Sequence, residues 1–178
     1  MVLPAASGTP LLEARNLKLH YSSPRGPVHA LDGVSFSISG KGEAVGVVGE
    51  SGSGKTSLAI ALMRLLPANV AHFSGQVLLD GQDLTALPLD RFRRQVRWRI
   101  MAMVFQGAMS SLNPVLRAGK QITERLMLEH GIKQWQADER AAELLEFVGL
   151  SREITQRYPH ELSGGMKQRV VIAMALIM

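Results

Sequence analysis

The sequence predicts an α/β fold in which mixed strands and helices come first and a helical block follows. Apolar and polar residues alternate near the end of 11–21, which predicts a strand. They also alternate over 34–39, which predicts that 29–39 form a half-exposed strand. Uninterrupted apolar runs at 44–49 and 100–106 are typical of buried strands. From about residue 115 the pattern becomes helical, most clearly over 134–148.

The remaining elements are predicted from local signals. The composition of residues 57–66 predicts a helix, and Pro67 is expected to end it. The pair Asp80-Gly81 predicts a turn after a further strand. Residues 89–99 predict a helix that turns Phe92 and Val96 to one side and arginines to the rest, and 121–130 predicts the first helix of the helical block.

The composition is that of a folded protein and excludes several kinds of site that depend on cysteine or on long apolar runs. The 178 residues are 46% hydrophobic and 20% charged, with a net charge of +5. The absence of cysteine excludes disulfides and thiolate metal sites, and the five histidines show no ligand spacing. No apolar run approaches the ~20 residues of a membrane-spanning helix. Residues 1–10 predict a flexible lead without the features of a signal peptide.

The octapeptide GESGSGKT predicts a phosphate-binding loop, here called the phosphate loop (residues 49–56). It follows an apolar run and opens a helix, as that function requires. Glycines allow the backbone N–H groups to surround a polyphosphate, and the helix adds the positive end of its dipole. Lys55 places a charge against the phosphates, and the Thr56 hydroxyl suits Mg²⁺. The predicted nucleotide contacts are Gly49, Glu50, Ser51, Gly52, Ser53, Gly54, Lys55, Thr56 and Ser57.

A second motif, LSGGMKQR, lies about 110 residues further on and is here called the signature (residues 162–169). Ser163, Gly164 and Gly165 precede a predicted helix that runs to Met178. A serine hydroxyl and bare amides at a helix N-terminus form an anion site, although the same residues also suit a simple serine N-cap. One chain does not need two anion sites for a single phosphate tail. The second site is explained if it closes over a nucleotide that a neighbouring molecule holds.

Together the two motifs resemble the ATP-binding subunit of ABC transporters, over nearly the whole chain. The resemblance implies a P-loop NTPase fold with a RecA-like core, an antiparallel β lobe and a helical lobe. It implies a head-to-tail dimer with ATP and Mg²⁺ between the phosphate loop of one subunit and the signature of the other. Tyr21 matches an aromatic that stacks on adenine, and Gln106 matches the Q-loop glutamine, which contacts Mg²⁺ and the attacking water. Gln168 is expected to assist Ser163 at the signature. The expected catalytic residues are Lys55 and Gln106, and the expected magnesium ligands are Thr56 and Gln106.

The motifs GESGSGKTS, FQGAMSSLNPV and YPHELSGGMKQR are similar to those of importers of di- and oligopeptides and of nickel. Such a subunit is expected at the cytoplasmic face of the membrane, bound to permease subunits and served indirectly by a substrate-binding protein. Gly107-Ala108 departs from the family's more usual Asp-Pro. The expected domains are a core with its β lobe at 11–106, a helical lobe at 107–162 and the start of the signature helix at 163–178.

The resemblance also implies catalytic residues that follow the signature helix. These are a Walker B aspartate, a glutamate that acts as general base and a switch histidine. The sequence stops at Met178, within that helix, so we expect an incomplete ATPase domain that does not turn over ATP by itself.

Two other functions are considered. A soluble ABC-type ATPase acting on nucleic acid or ribosomes would suit the arginines of 89–99, but such proteins usually carry tandem cassettes or a long coiled-coil insertion. The interval between the motifs is short here, and an amphipathic surface helix explains the arginines, so no nucleic-acid partner is expected. An inactive nucleotide-binding fragment is the other alternative.

Overall fold

Four antiparallel strands form the sheet of the first part of the chain. The computed structural model describes residues 8–178, so the predicted lead falls mostly outside the described residues. β1 (Leu12–Tyr21) lies between β2 (Val28–Ile38) and β3 (Val70–Leu79), and β4 (Gln82–Asp83) follows β3 at the edge. The strands predicted from alternation and the turn after β3 are therefore confirmed.

The two faces of β1 differ in polarity because a bulge shifts its alternation. Ala14 is buried, the register shifts around Asn16, and Leu17 and Leu19 are then fully buried. Asn16 adopts a φ of 47°, a left-handed conformation that accommodates the extra residue of the bulge. The bulge keeps the apolar residues of β1 on the core face and leaves Lys18 and His20 on the opposite, outer face.

Two helices accompany the sheet. α1 (Lys55–Leu62) begins two residues before the predicted start and buries Leu58 and Ala61. α2 (Leu89–Gln95) buries Phe92, and Val96 just beyond it is also buried, as the spacing predicted. α2 is shorter than the predicted 89–99, and Trp98 adopts a left-handed φ of 70°, which is incompatible with a continued helix.

The two apolar runs predicted as buried strands do not form strands, and this prediction was wrong. Residues 44–50 have no regular secondary structure and are all exposed, with Val48 at 96%. Most of 100–106 is likewise irregular, with Phe105 exposed. A strand exists only with a hydrogen-bonded neighbour, and no described segment forms a sheet with either run.

The second part of the chain is helical. α3 (Ala118–His130) and α4 (Gln134–Phe147) agree with the predicted helices, and Gly149 ends α4 with a φ of 74°. α5 (Gly164–Leu176) starts directly after Ser163, as the signature predicted. Three short 3-10 helices connect these elements, at Ala108–Ser111, Arg152–Gln156 and Pro159–Glu161.

The contacts divide the chain into two units, one up to Gln95 and one from Val96. The second unit has an apolar core in which Ile122 of α3, Leu145 of α4 and Val170 of α5 are fully buried. The domain limits predicted from the sequence, at 106 and 162, stay predictions. Among the described residues, no helix combines the length and apolarity needed to cross a bilayer.

The core of the second unit gives a stability prediction with a matched control on the same helix. Leu145→Ala should destabilise the protein by about 2–5 kcal/mol, because it removes a fully buried side chain and leaves a cavity. Phe147→Ala should change stability by no more than about 0.5 kcal/mol, since Phe147 is 78% exposed. Urea unfolding followed by circular dichroism measures both, and equal shifts in the two variants would contradict the assignment of this core.

Candidate functional site

The phosphate loop is closed around the ammonium group of Lys55. Lys55 Nζ donates hydrogen bonds to the carbonyl oxygens of Gly49 and Glu50, at 2.8 and 2.5 Å, and lies 3.4 Å from the Oγ of Ser53. The two carbonyls belong to the first two residues of the loop, whereas Lys55 begins α1. The lysine therefore ties the two ends of the loop together.

Glycine is required where the loop meets the sheet. Gly54 precedes α1 with a φ of 92°, and a Cβ built at this position would lie 2.3 Å from the carbonyl oxygen of Ala30 in β2. Any side chain would displace either the loop or the strand. The missing Cβ thus allows the start of α1 to sit directly against β2.

The start of α1 suits an anionic ligand. No side chain caps the helix, and its first turn contains no acidic residue. The first N–H groups of a helix have no partner within the helix, and the dipole makes this end positive. Thr56 is exposed, so its hydroxyl is accessible to a cation that accompanies the anion. The residues present therefore fit a magnesium-bound polyphosphate, in agreement with the motif.

Tyr21 lies beside this loop. Its hydroxyl is 3.3 Å from Ser57 Oγ in the first turn of α1, and the pair is partly buried. The structure therefore joins the end of β1 to the residue that follows Thr56. Stacking of the Tyr21 ring on adenine stays a prediction.

In the second unit, two predicted site residues share one cleft. Gln106 and Gln168 both line a cavity of about 220 Å³. Its remaining lining residues are Val104, Phe105, Gly107, Met109 and Val171. The glutamine that ends the FQ motif is thus brought next to the signature helix, although the two lie 62 residues apart in the sequence.

The signature has the geometry of a helix N-cap. Ser163 Oγ accepts a hydrogen bond from the N–H of Met166 at 3.3 Å, so the capping interpretation is confirmed. Gly164 and Gly165 are both exposed, which leaves their backbone accessible from solvent. A Cβ at Gly164 would lie 3.8 Å from the Sδ of Met109, a neighbour of the signature that the sequence analysis did not identify. Binding of a second subunit's nucleotide at Ser163 stays a prediction.

Glu161 fixes the turn that leads into the signature, and this residue was also missed. One carboxylate oxygen accepts from the N–H of Tyr158 at 2.7 Å, and the other accepts from Arg157 at 3.0 Å. The Tyr158 N–H, followed by the Arg157 guanidinium, lowers the pKa of Glu161 below its ordinary value of 4.5. The N-cap of this capping box is Tyr158 rather than Ser, Thr, Asp or Asn, so the sequence lacked the usual capping-box signal.

This lowered pKa gives a pH prediction for the turn before the signature. The stabilisation from Glu161 is fully present above the unfolded pKa of 4.5 and is lost as the pH falls through the lower folded pKa. Glu161→Gln should lower stability at neutral pH and reduce its decline in acid. Urea midpoints at neutral pH and below pH 4.5 measure the difference, with the exposed Glu124→Gln as control. An unchanged pH profile in Glu161→Gln would contradict the role given to this carboxylate.

The comparisons with curated proteins point to transport ATP-binding proteins. The oligopeptide transport ATP-binding protein AppD of Bacillus subtilis is 46% identical over 169 residues, which are 93% of this chain and 51% of that protein. The OppD protein of the same organism is 44% identical, over 94% of this chain and 47% of that protein. OppD of Escherichia coli is 41% identical, over 94% and 49%. The chain spans about half the length of the curated relatives it matches.

Solved structures and the family profile agree with these relatives. The dimeric structure of MJ0796, a bacterial ABC transporter cassette, superimposes with a TM-score of 0.78 at 28% identity, over 93% of this chain and 69% of that one. A dimeric post-hydrolysis state of the same cassette, bound to ADP and Pi, gives 0.74 at 28%, with the same coverage. These structures confirm the predicted P-loop ABC ATPase fold. The ABC transporter profile matches residues 31–178, so the chain belongs to the ABC transporter family.

Proposed function

We propose that the complete protein binds and hydrolyses ATP to drive an ABC importer of peptides. The observation that carries the proposal is the phosphate loop, which Lys55 closes through its hydrogen bonds to the carbonyls of Gly49 and Glu50. The helix that starts at Lys55 has no side-chain cap, and the exposed Thr56 follows directly. The curated relatives are named as oligopeptide transport ATP-binding proteins, which supports a peptide as cargo. Di- and oligopeptides and nickel remain the expected cargoes from the sequence motifs.

The loop has its binding groups in place before ligand arrives. Lys55 Nζ is held by neutral carbonyl oxygens, and phosphate oxygens are stronger acceptors because they are charged. On binding, Lys55 exchanges the Gly49 and Glu50 carbonyls for phosphate oxygens, while the N–H groups at the start of α1 donate to the same ligand. Magnesium supplies charge neutralisation of the phosphates when bound, with Thr56 and Gln106 as the expected protein ligands.

The partner implied by the signature is a second ATP-binding subunit. MJ0796, a cassette of the same family, is dimeric in its solved structures, one of them bound to ADP and Pi. In the proposed dimer, Ser163, Gly164, Gly165 and Gln168 contact the nucleotide on the partner's phosphate loop. Permease subunits are the further proposed partners, which places the protein on the cytoplasmic face of a membrane. The closure of the two subunits over ATP would then drive the permease between its access states.

The 178 residues alone do not contain every group that this chemistry needs. The general-base glutamate, the Walker B aspartate and the switch histidine of the family follow the signature helix. We infer that a polypeptide limited to these residues binds nucleotide weakly and does not hydrolyse it.

Lys55→Ala is the direct test of the phosphate loop. In the full-length protein it should abolish ATP hydrolysis and weaken ATP binding, because the alanine removes the cation that contacts the phosphates. Lys41→Ala, at an exposed lysine outside the loop, should leave both unchanged. Release of phosphate and equilibrium binding of ATP measure the two effects. Retention of hydrolysis in Lys55→Ala would overturn the proposed function.

Ser163→Arg tests whether the signature acts on a partner's nucleotide. It should prevent dimer formation with a non-hydrolysable ATP analogue, yet leave ATP binding by the monomer unchanged, because the serine would contact only the nucleotide of the other subunit. Analytical ultracentrifugation and equilibrium binding at low protein concentration separate the two readouts.

The matched control is Ser151→Arg, since Ser151 also accepts a hydrogen bond at the start of a helical turn and is exposed. It adds the same charge without touching the signature. If Ser163→Arg weakened ATP binding by the monomer as Lys55→Ala does, the head-to-tail arrangement would be wrong.

A further inference from the structure

Three histidines lie side by side on the outer face of the sheet, and we call them the histidine row (His20, His29 and His72). His20 of β1 is paired directly with His29 of β2 and with His72 of β3. The rings of His20 and His29 are stacked with centroids 3.8 Å apart and planes 6° from parallel. The centroid of His72 lies 5.2 Å from that of His20. Strand pairing therefore assembles residues that are far apart in the sequence.

Asp32 completes a set of possible metal ligands at one end of this row. His20, His29 and Asp32 each offer one ligand atom, and these atoms all lie within 4.8 Å of one another. Zinc held at ~2.0–2.1 Å by tetrahedral ligands needs them about 3.3 Å apart. Imidazole lone pairs lie in the ring plane, so the stacked His29 ring must also turn to face an ion shared with His20. His29 and Asp32 are exposed, so side-chain rotation can achieve this and close the remaining distance without a backbone movement.

His20 has a buried ring nitrogen, Nε2, without a hydrogen-bond partner among the described residues. Buried polar atoms are normally paired, so an unpartnered ring nitrogen is a second indication of a binding site. Burial, followed by the neighbouring His29 and His72, lowers the pKa of His20 below its ordinary value.

Asp32 is available to a metal because its present partner holds it weakly. Lys18 Nζ lies 3.7 Å from an Asp32 carboxylate oxygen, and both side chains are more than a third exposed. Exposed ion pairs of this kind contribute little free energy. A divalent cation at His20 and His29 would attract the carboxylate more strongly than the single charge of Lys18.

We propose that the outer face of the sheet binds one divalent transition-metal ion, of the class of Zn²⁺, through His20, His29 and Asp32. Two imidazoles and one carboxylate leave a fourth position for water, with His72 next to the site. This donor set favours borderline metals such as zinc over Mg²⁺, which prefers oxygen ligands alone. The ion would hold β1 and β2 together from the outer face. The inference is independent of the proposed ATPase function.

The test measures Zn²⁺ binding to the nucleotide-free, full-length protein by isothermal titration calorimetry. The wild type should bind zinc, and His29→Gln and Asp32→Asn should each weaken this binding by about tenfold or more, because each removes one ligand. His160→Gln is the matched control, since His160 is an exposed histidine of the second unit. Circular dichroism spectra of His29→Gln and Asp32→Asn should match the spectrum of the wild type, which shows that both variants are folded.

Two outcomes would overturn the proposal. One is the absence of zinc binding by the wild type. The other is equal zinc affinity in the wild type, His29→Gln and Asp32→Asn, which would place any bound zinc elsewhere. A titration with Mg²⁺ should give no binding that depends on His29, and a dependence on His29 would contradict the assigned metal class.

Discussion

The hydrogen bonds from the Lys55 ammonium to the carbonyls of Gly49 and Glu50 are the interactions on which the candidate site depends. They close the phosphate loop on itself and hold its cation against two backbone carbonyls. The loop can take this shape only because Gly54 lacks a Cβ and lies against Ala30 of β2. The sheet, the first helix and the loop are therefore held together by two contacts. β2 packs against Gly54 at the start of α1, and Lys55 holds the beginning of the loop. Tyr21 joins the same arrangement through Ser57.

Elements that depend on local periodicity could be predicted from the sequence. The strands β1 and β2 and the helix α4, with Gly149 as its end, followed from alternation, helical spacing and a cap residue. The runs at 44–49 and 100–106 were mispredicted, because an apolar run becomes a strand only when another segment pairs with it. Local sequence carries no information about whether that partner is present.

The candidate functional site could likewise be predicted only where its residues are contiguous in the sequence. The phosphate loop and the Ser163 cap are contiguous motifs, so their residues could be named in advance. Three other features depend on tertiary or cross-strand contacts, which the local sequence does not encode. They are the cleft shared by Gln106 and Gln168, the proximity of Met109 to Gly164, and the histidine row. The five histidines showed no ligand spacing because the residues that meet belong to different strands, paired across a bulged register.

The exposed run at 44–49 has a consequence for the synthesis of the protein. Because translation begins at the N-terminus, these valines emerge before the segments that follow them, and they stay unpaired in the described residues. An unpaired apolar segment invites association with another nascent chain. Lys41, Glu43 and Glu50 flank the run, and all three are exposed. We expect these charges to act as gatekeepers that limit association of nascent chains through this run.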